Sequence, residues 1–422
     1  MKNRKGKKFR VLVCAFACVK DPDTRFGFGG GGETSLGWNV ALQLARFYQL
    51  SVITDLGNKP AIEKALLQNP LPNVHFYYIG LPAFLGFTKR WIQIYTYLWQ
   101  IKSYFFVKKL HTKNPFDVFQ HVTYANDWMA SFIGALLPIP YIRGPGGGAH
   151  RVPKSFLVNY SFKERLAQWV RSAGQWVFRH DPFFIMGQNR ARVILVCNRE
   201  AFDALPKKWQ KKASFFPVNG ISKEDLALFN SQQEKRIGPF LLLSAGKFIK
   251  IKGFDLAIRA FKVFIDKVAD AKLVIIGDGP ELQHLKNLIG RLHLEKNVFL
   301  EAWLPRPSLL RKMIDSDVFI FPSLRDGGGN VVVEAMAQGK PIICFDMAGP
   351  GFHVNETCGI KIPPENPSQA IGDMAAAMEK LYYNEVLRSA LGSGARKRAE
   401  GFYAWDILRE KLKNIYESAV KN

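Results

Sequence analysis

Along this chain, apolar runs of strand length alternate with longer stretches whose apolar residues recur at helical spacing. The first run is residues 9–17 (FRVLVCAFA), followed by a polar, glycine-rich loop, a helical pattern over about 35–48 and the short run SVIT. Strand, glycine loop, helix, strand is the repeating unit of a doubly wound α/β sheet. Further strands are predicted at residues 74–79, 118–121, 141–143 and 193–197. The second half alternates more regularly, with strands at 240–244, 272–276, 297–300, 318–321 and 341–345. Its helices read at 254–268, 282–292, 308–314, 331–338 and finally 404–420. Apolar strands separated by helices of this length call for mostly parallel sheets covered on both faces. Pro217, Gly220 and a polar run interrupt the pattern near 216–238, which marks a domain boundary. Two such sheets in succession are expected to turn their strand ends towards a shared ligand cleft.

Length and composition sharpen this picture. A chain of 422 residues exceeds one ordinary core and fits two, and 48% apolar with 22% charged residues excludes wholesale disorder. The five cysteines are scattered, without CxxC pairing, so neither a disulfide framework nor a structural zinc site is expected and a reducing compartment is favoured. The net charge of +24 is lopsided. Residues 1–215 hold 31 Lys/Arg against 11 Asp/Glu, whereas residues 216–422 hold 28 against 24. The first half should therefore meet something anionic. The apolar run 11–19 carries Cys and Ala in place of Leu and no cleavage pattern follows it, which argues against a signal peptide. The longest charge-free stretch, 65–88, contains Pro70, Pro72, Asn73 and Pro82 and is a poor bilayer span. A cytoplasmic protein is expected, peripheral on the inner face of the cell membrane at most.

The strongest chemical signal is residues 321–341, FPSLRDGGGNVVVEAMAQGKP. A strand ends, a loop carries Asp326 and Gly327, Gly328 and Gly329, and a helix begins near Asn330. Amides of Gly328, Gly329, Asn330 and Val331 at a helix N-terminus attract an anion, and glycines let it approach the backbone. Glu334 lies one turn into that helix, and a carboxylate there suits the vicinal diol of a ribose. For the glycines alone a flexible turn is the simpler reading; the flanking carboxylates tip the balance. A second signal is AGKFIKIKGF, where Lys247 and Lys252 follow a strand and could grip a diphosphate without a metal. The turn in VIIGDGPELQHL is weaker. In the first half, Gly30, Gly31 and Gly32 lie in GFGGGGETSLGW, which lacks both the dinucleotide spacing and a P-loop GKS/GKT. A second glycine loop, RGPGGGAHRVP, adds Arg143, His150 and Arg151. No Ser–His–Asp, HExxH or metal-spaced cluster is visible, so no metal and no cofactor are expected.

Together these motifs resemble a family. The run SLRDGGGNVVVEAMAQGKPII resembles the E-x7-E block of family 4 retaining glycosyltransferases, which have the two-domain GT-B fold and act in bacterial polysaccharide or glycolipid assembly. Here the block reads D-x7-E, Asp326 to Glu334. The lysine loop, VIIGDGPELQHL, the stretch NVFLEAWLPRPSLLRKMIDSDVFIFPS and the terminal FYAWDILREKLKNIYESA follow in the family's order. The likeness covers nearly all of 240–420 and is looser in 1–215, where GGGGE, HVTYANDW and GPGGG carry it. It implies an acceptor-binding Rossmann-like domain over 1–217 and a nucleotide-sugar-binding one over 218–400. Residues 401–422 would then form a terminal helix crossing back to the first domain.

By the same resemblance Glu334 would hold the ribose, Lys247 and Lys252 the diphosphate, and Asp326 with the Gly327–Asn330 amides the sugar. Gly30, Gly31 and Gly32 would close onto the donor, a UDP-, GDP- or similar sugar. Asp326 is one methylene shorter than the family's Glu. Where many relatives place a His after the strand at 141–143, this chain has Arg143, which leaves His150 as a catalytic candidate and His121 and Arg143 as acceptor-side candidates. The implied reaction retains anomeric configuration and needs no metal, with the leaving phosphate accepting the acceptor's proton.

A GT-B sugar-nucleotide epimerase is the alternative. A nucleic-acid-binding protein is ranked lower, since no RNP, KH, zinc-finger or helix-turn-helix pattern accompanies the charge. Residues 64–113 are basic, and residues 88–110 interleave Lys102, Lys108 and Lys109 with Trp91, Tyr95, Trp99, Phe105 and Phe106. A helix there would suit an anionic membrane interface and a lipid-linked glycan acceptor. The competing reading makes those aromatics core and the lysines a solvated rim.

Overall fold

The structure is a computed structural model describing residues 9–20, 32–218, 220–230, 238–268 and 270–421. The chain divides into two compact units. The first comprises residues 1–149, 166–218 and 408–422, and the second 150–165 and 219–407. The first unit's second stretch ends at 218 and the second unit resumes at 219. The passage of 150–165 into the second unit has no counterpart in the sequence reading.

The first unit is built on β1 (Arg10–Ala15), β2 (Gln49–Asp55), β3 (Val74–Ile79), β4 (Val118–Thr123), β5 (Tyr141–Gly146), β6 (Ala191–Val196) and β7 (Ala213–Phe215). They form one sheet in the order β3-β2-β1-β4-β5-β6-β7, every pairing parallel. The apolar run of β1 is buried on both faces, which is why it reads as continuous rather than alternating. Residues 408–421 of the terminal helix (Trp405–Lys421) belong to this unit. Leu408, Leu412, Tyr416 and Ala419 are buried, and Tyr416 stacks on Tyr48 with ring centroids 5.7 Å apart.

The helix expected over 88–110 begins later and is partly core. A 3-10 segment spans Ala83–Arg90 and the α-helix runs Ile92–Lys113. Tyr95, Trp99 and Val107 are buried in the first unit's core. Phe16 meets Tyr95 and Trp99 edge-on at 6.0 and 5.1 Å. The polar tips are satisfied inside, Tyr95 Oη donating to Asp55 (3.0 Å) and Trp99 Nε1 to the Ile79 carbonyl (2.7 Å). Half of this aromatic stretch is therefore core, while Trp91, Ile94, Phe105 and Phe106 stay exposed.

The second unit holds β8 (Phe240–Ala245), β9 (Ala271–Ile276), β10 (Val298–Glu301), β11 (Val318–Phe321), β12 (Ile342–Phe345) and β13 (Gly359–Ile362). The order is β10-β9-β8-β11-β12-β13, again all parallel. Helices such as Phe254–Ile265 lay their apolar faces on it, with Phe254, Ile258, Phe261 and Phe264 buried. The short edge strands β7 and β13 were not anticipated. Neither has a long apolar run, because each has a partner on one side only.

Cys14, Cys18, Cys197, Cys344 and Cys358 are all buried, and none of them is joined in a disulfide. No helix of the described residues is long and apolar enough to cross a membrane.

Candidate functional site

In the second sheet the strand order reverses between β8 and β11, and loops leaving the C-terminal ends of such neighbours diverge and leave room for a ligand. The loop after β8 carries Lys247, which is exposed, and then the short 3-10 turn Lys250–Lys252. Gly253 follows with φ 66°, and a Cβ there would sit 2.2 Å from the Pro322 carbonyl oxygen. Only glycine permits that approach. It zips the loop to the end of β11, where Leu324 N donates to the Ile251 carbonyl at 2.9 Å.

The consequence is an ion pair between Lys252 Nζ and Asp326 Oδ2. The other oxygen, Oδ1, accepts from the amides of Gly328 (3.1 Å) and Gly329 (2.8 Å). Gly329, at φ 51°, then turns the chain into the helix Asn330–Ala337. Burial disfavours the charged Asp326, but the Lys252 ammonium and the two amides outweigh it and hold its carboxyl below the ordinary aspartate value. Two of the four amides expected to meet an anion are thus occupied by Asp326 itself. Those of Asn330 and Val331 head the helix.

Glu334 also has a partner. Arg306, opening the helix Arg306–Ile314, donates from Nε to Glu334 Oε1 at 2.6 Å. It also bonds both oxygens of Asp225, at 2.6 and 3.0 Å. Burial raises the Glu334 carboxyl above its usual value despite Arg306, with Asp225 adding to the rise. For Asp225, burial is overcome by Arg306 and Ser222, and its carboxyl is held down. Arg306 therefore stays charged and fixes how Glu334 points.

Behind the loop stands His353, fully buried. Its Nε2 is 2.6 Å from the Gly328 carbonyl oxygen and its Nδ1 is 2.7 Å from Tyr403 Oη. A carbonyl only accepts, so Nε2 carries the proton and Nδ1 takes the tyrosine's. Burial lowers this imidazole's pKa to about 4, so it is neutral and serves as a strut for the glycine loop. Arg306, Asp225 and His353 were missed in the sequence. Arg306 sits in a proline-flanked stretch with no recognisable spacing to Glu334, and only the fold brings them together.

His150 is buried beside this loop. A Cβ on Gly327 would lie 2.9 Å from its Nε2. The turn Gly277–Gly279 supports the lysine loop from behind, with Phe248 N donating to the Asp278 carbonyl at 2.7 Å.

The other candidates lie elsewhere. Gly30 and Gly31 fall outside the described residues, and Gly32 opens the helix Gly32–Leu44 of the first unit. His121 is fully buried on β4 beside the Gln100 amide, its pKa lowered to about 3 by burial and then by Arg143. Arg143 is buried on β5. It donates to the carbonyls of Asn126 and Met129, with its guanidinium 5.0 Å from the Phe184 ring centroid. Both residues, expected on the acceptor side, are therefore enclosed within the first unit.

Residues 228–398 match the family model of Glycosyl transferases group 1. A capsular polysaccharide biosynthesis glycosyltransferase, CapM, of Staphylococcus aureus is 30% identical over 220 residues, 49% of this chain and 55% of that protein. An N-acetylgalactosamine-N,N'-diacetylbacillosaminyl-diphospho-undecaprenol 4-alpha-N-acetylgalactosaminyltransferase of Campylobacter jejuni is 27% identical over 219 residues, 51% of this chain and 55% of that one. The chain thus spans about half the length of these relatives. Among solved structures, Anabaena HepE in complex with UDP superposes with a TM-score of 0.61 at 15% identity, covering 97% of this chain and 100% of that one. At that identity the likeness shows the fold: two Rossmann-like parallel-sheet domains of the GT-B kind.

Proposed function

We propose that this chain is a glycosyltransferase of the retaining, family 4 kind, moving a sugar from a nucleotide-diphospho-sugar to a hydroxyl of a glycan under assembly. One observation carries the reading. Lys252, Asp326 and the Gly328–Gly329 amides meet at the strand-order reversal, with Glu334 one turn into the helix that follows, inside the stretch matching group 1.

Lys252 has three N–H donors and spends one on Asp326, which leaves two for a diphosphate. Lys247 adds exposed charge beside it. Glu334 uses Oε1 on Arg306, and its second oxygen suits a ribose hydroxyl. Asp326, rigidly held and ionised, would orient the transferred sugar, with His150 close by. In the reaction the bond from the anomeric carbon to phosphate oxygen breaks. The acceptor oxygen bonds to the same face, and its proton passes to the departing phosphate. Lysines and helix amides stabilise the leaving charge, so the step needs no metal.

UDP sugars are the first donors to try, given the UDP complex of the Anabaena protein. The undecaprenol-linked substrate named for the Campylobacter enzyme supports a lipid-linked acceptor. The transferase names of the relatives count against an epimerase. The test is a thermal-shift screen of UDP, GDP, ADP and their sugars, followed by product analysis with acceptor. A ligand of the native state raises the melting temperature by linkage. No shift with any nucleotide, or donor turnover without acceptor to an epimer, sinks the reading.

A further inference from the structure

The helix Phe162–Arg179 is packed inside out. A surface helix ordinarily buries its apolar stripe and shows its polar one, as Phe254–Ile265 does here. In Phe162–Arg179 the polar side faces the protein. Gln175 is buried and donates to the Gly148 carbonyl at 2.9 Å, Arg171 donates to the same carbonyl at 3.2 Å, and Arg179 donates to that of Asp127 at 3.3 Å. Outward point Phe162, Leu166, Trp169, Val170, Trp176 and Val177. Phe162 is 79%, Trp169 68% and Trp176 64% exposed. At 100° per residue these side chains, with Ala173, form one stripe roughly 120° wide.

Charge selects the occupant. Lys163 and Arg165, both exposed, border the stripe on its two sides, and exposed Arg151 and Lys154 precede the helix. The helix's only acid, Glu164, is paired with Lys250 at 2.9 Å. The stripe is therefore apolar in the middle, cationic at its edges and without outward negative charge. Two tryptophans lie along it, a residue type that favours the headgroup level of a bilayer.

We infer that the helix Phe162–Arg179 is the surface by which this protein lies on an anionic phospholipid bilayer, its apolar stripe in the interface and its basic edges among the headgroups. This displaces residues 88–110, whose aromatics are partly core, as the chief membrane element. It names the partner of the acceptor side of the proposed transferase and to that extent rests on that reading. The binding itself is measured with neither donor nor acceptor.

The test is flotation of the full chain with phosphatidylcholine vesicles containing phosphatidylglycerol, against phosphatidylcholine alone. Binding is expected only with the anionic lipid and should fall as salt rises. The double variant Trp169→Ser/Trp176→Ser should lower vesicle partition about tenfold or more, with its melting temperature unchanged because both side chains are exposed. Glu334→Ala should float like the parent while losing transfer, which separates failure of this inference from failure of the transferase reading. The inference is overturned if the parent stays unbound at low salt. It is also overturned if the tryptophan variant binds undiminished while Phe105→Ser/Phe106→Ser does not. A dimer that the tryptophan variant dissolves, without vesicle binding, would assign the stripe to a second copy and overturn it too.

Discussion

Both sheets reverse strand order at one point, between β1 and β4 in the first and between β8 and β11 in the second. On the described strands at and beside the first reversal, Gln120, His121, Thr123 and Arg143 are buried. Gln120 donates to the Gly144 carbonyl, Thr123 accepts from Ala17 N, and Arg143 holds two carbonyls. At the second reversal the groups are charged and partly open to water: Lys247, Lys252, Asp326 and Glu334 with Arg306. Buried polar groups that end on backbone fix a fold. Charged groups held by one another at a solvent boundary keep hydrogen-bonding capacity in reserve for a ligand.

Variants can break this contrast. Arg143→Met should lower stability by roughly 3 kcal/mol through stranded carbonyls, read from the urea midpoint, with transfer per folded molecule retained. Loss of transfer at unchanged stability would move Arg143 into the chemistry. Lys252→Ala and Glu334→Ala should do the reverse. Each removes about 1.5–3 kcal/mol of charge-assisted contact, or roughly tenfold to over a hundredfold in kcat/KM, with little change in melting temperature. Parent-like turnover in both would dissolve the site.

Acid pH sharpens the comparison. The His353 pKa is lowered from 6.5 to about 4, so the unfolded chain binds the proton more readily. Its stabilisation is complete above 6.5 and is lost as pH falls towards 4, about 2 kcal/mol by roughly pH 5. Asp326 stays ionised across this window, its carboxyl being held below 3.8. His353→Gln should flatten the pH dependence of the melting temperature relative to the parent; an unchanged slope would mean the imidazole is not buried and neutral. The smallest effect expected is none at all. Chelation by EDTA should leave transfer unchanged, and its abolition with recovery on adding magnesium would refute the leaving-group role of the lysines.

What the sequence disclosed follows from how local each signal is. Continuous apolar runs marked β8, β9 and β11 almost to the residue and β1 to within two at its end, because strands buried on both faces tolerate little else. The Asp326–Glu334 block was legible because loop, glycines and helix start are consecutive. The Arg306–Asp225 support was not, since it joins residues 81 apart. His121 and Arg143 looked functional for the opposite reason: titratable residues on β4 and β5 are conspicuous in a sequence, and nothing local reveals that both are sealed. The aromatics of 88–110 could not be sorted without knowing which ring meets Phe16.

The buried cysteines give the molecule two built-in clocks. Cys14, Cys18 and Cys197 lie in the first unit, Cys344 and Cys358 in the second. Burial pushes the thiols of Cys14, Cys18 and Cys344 well above the ordinary range and raises that of Cys358. A thiolate-directed alkylating reagent therefore marks each position only when the chain around it opens. Mass spectrometry of the labelled peptides would time the opening of the two sheets separately, in one tube, with no residue changed.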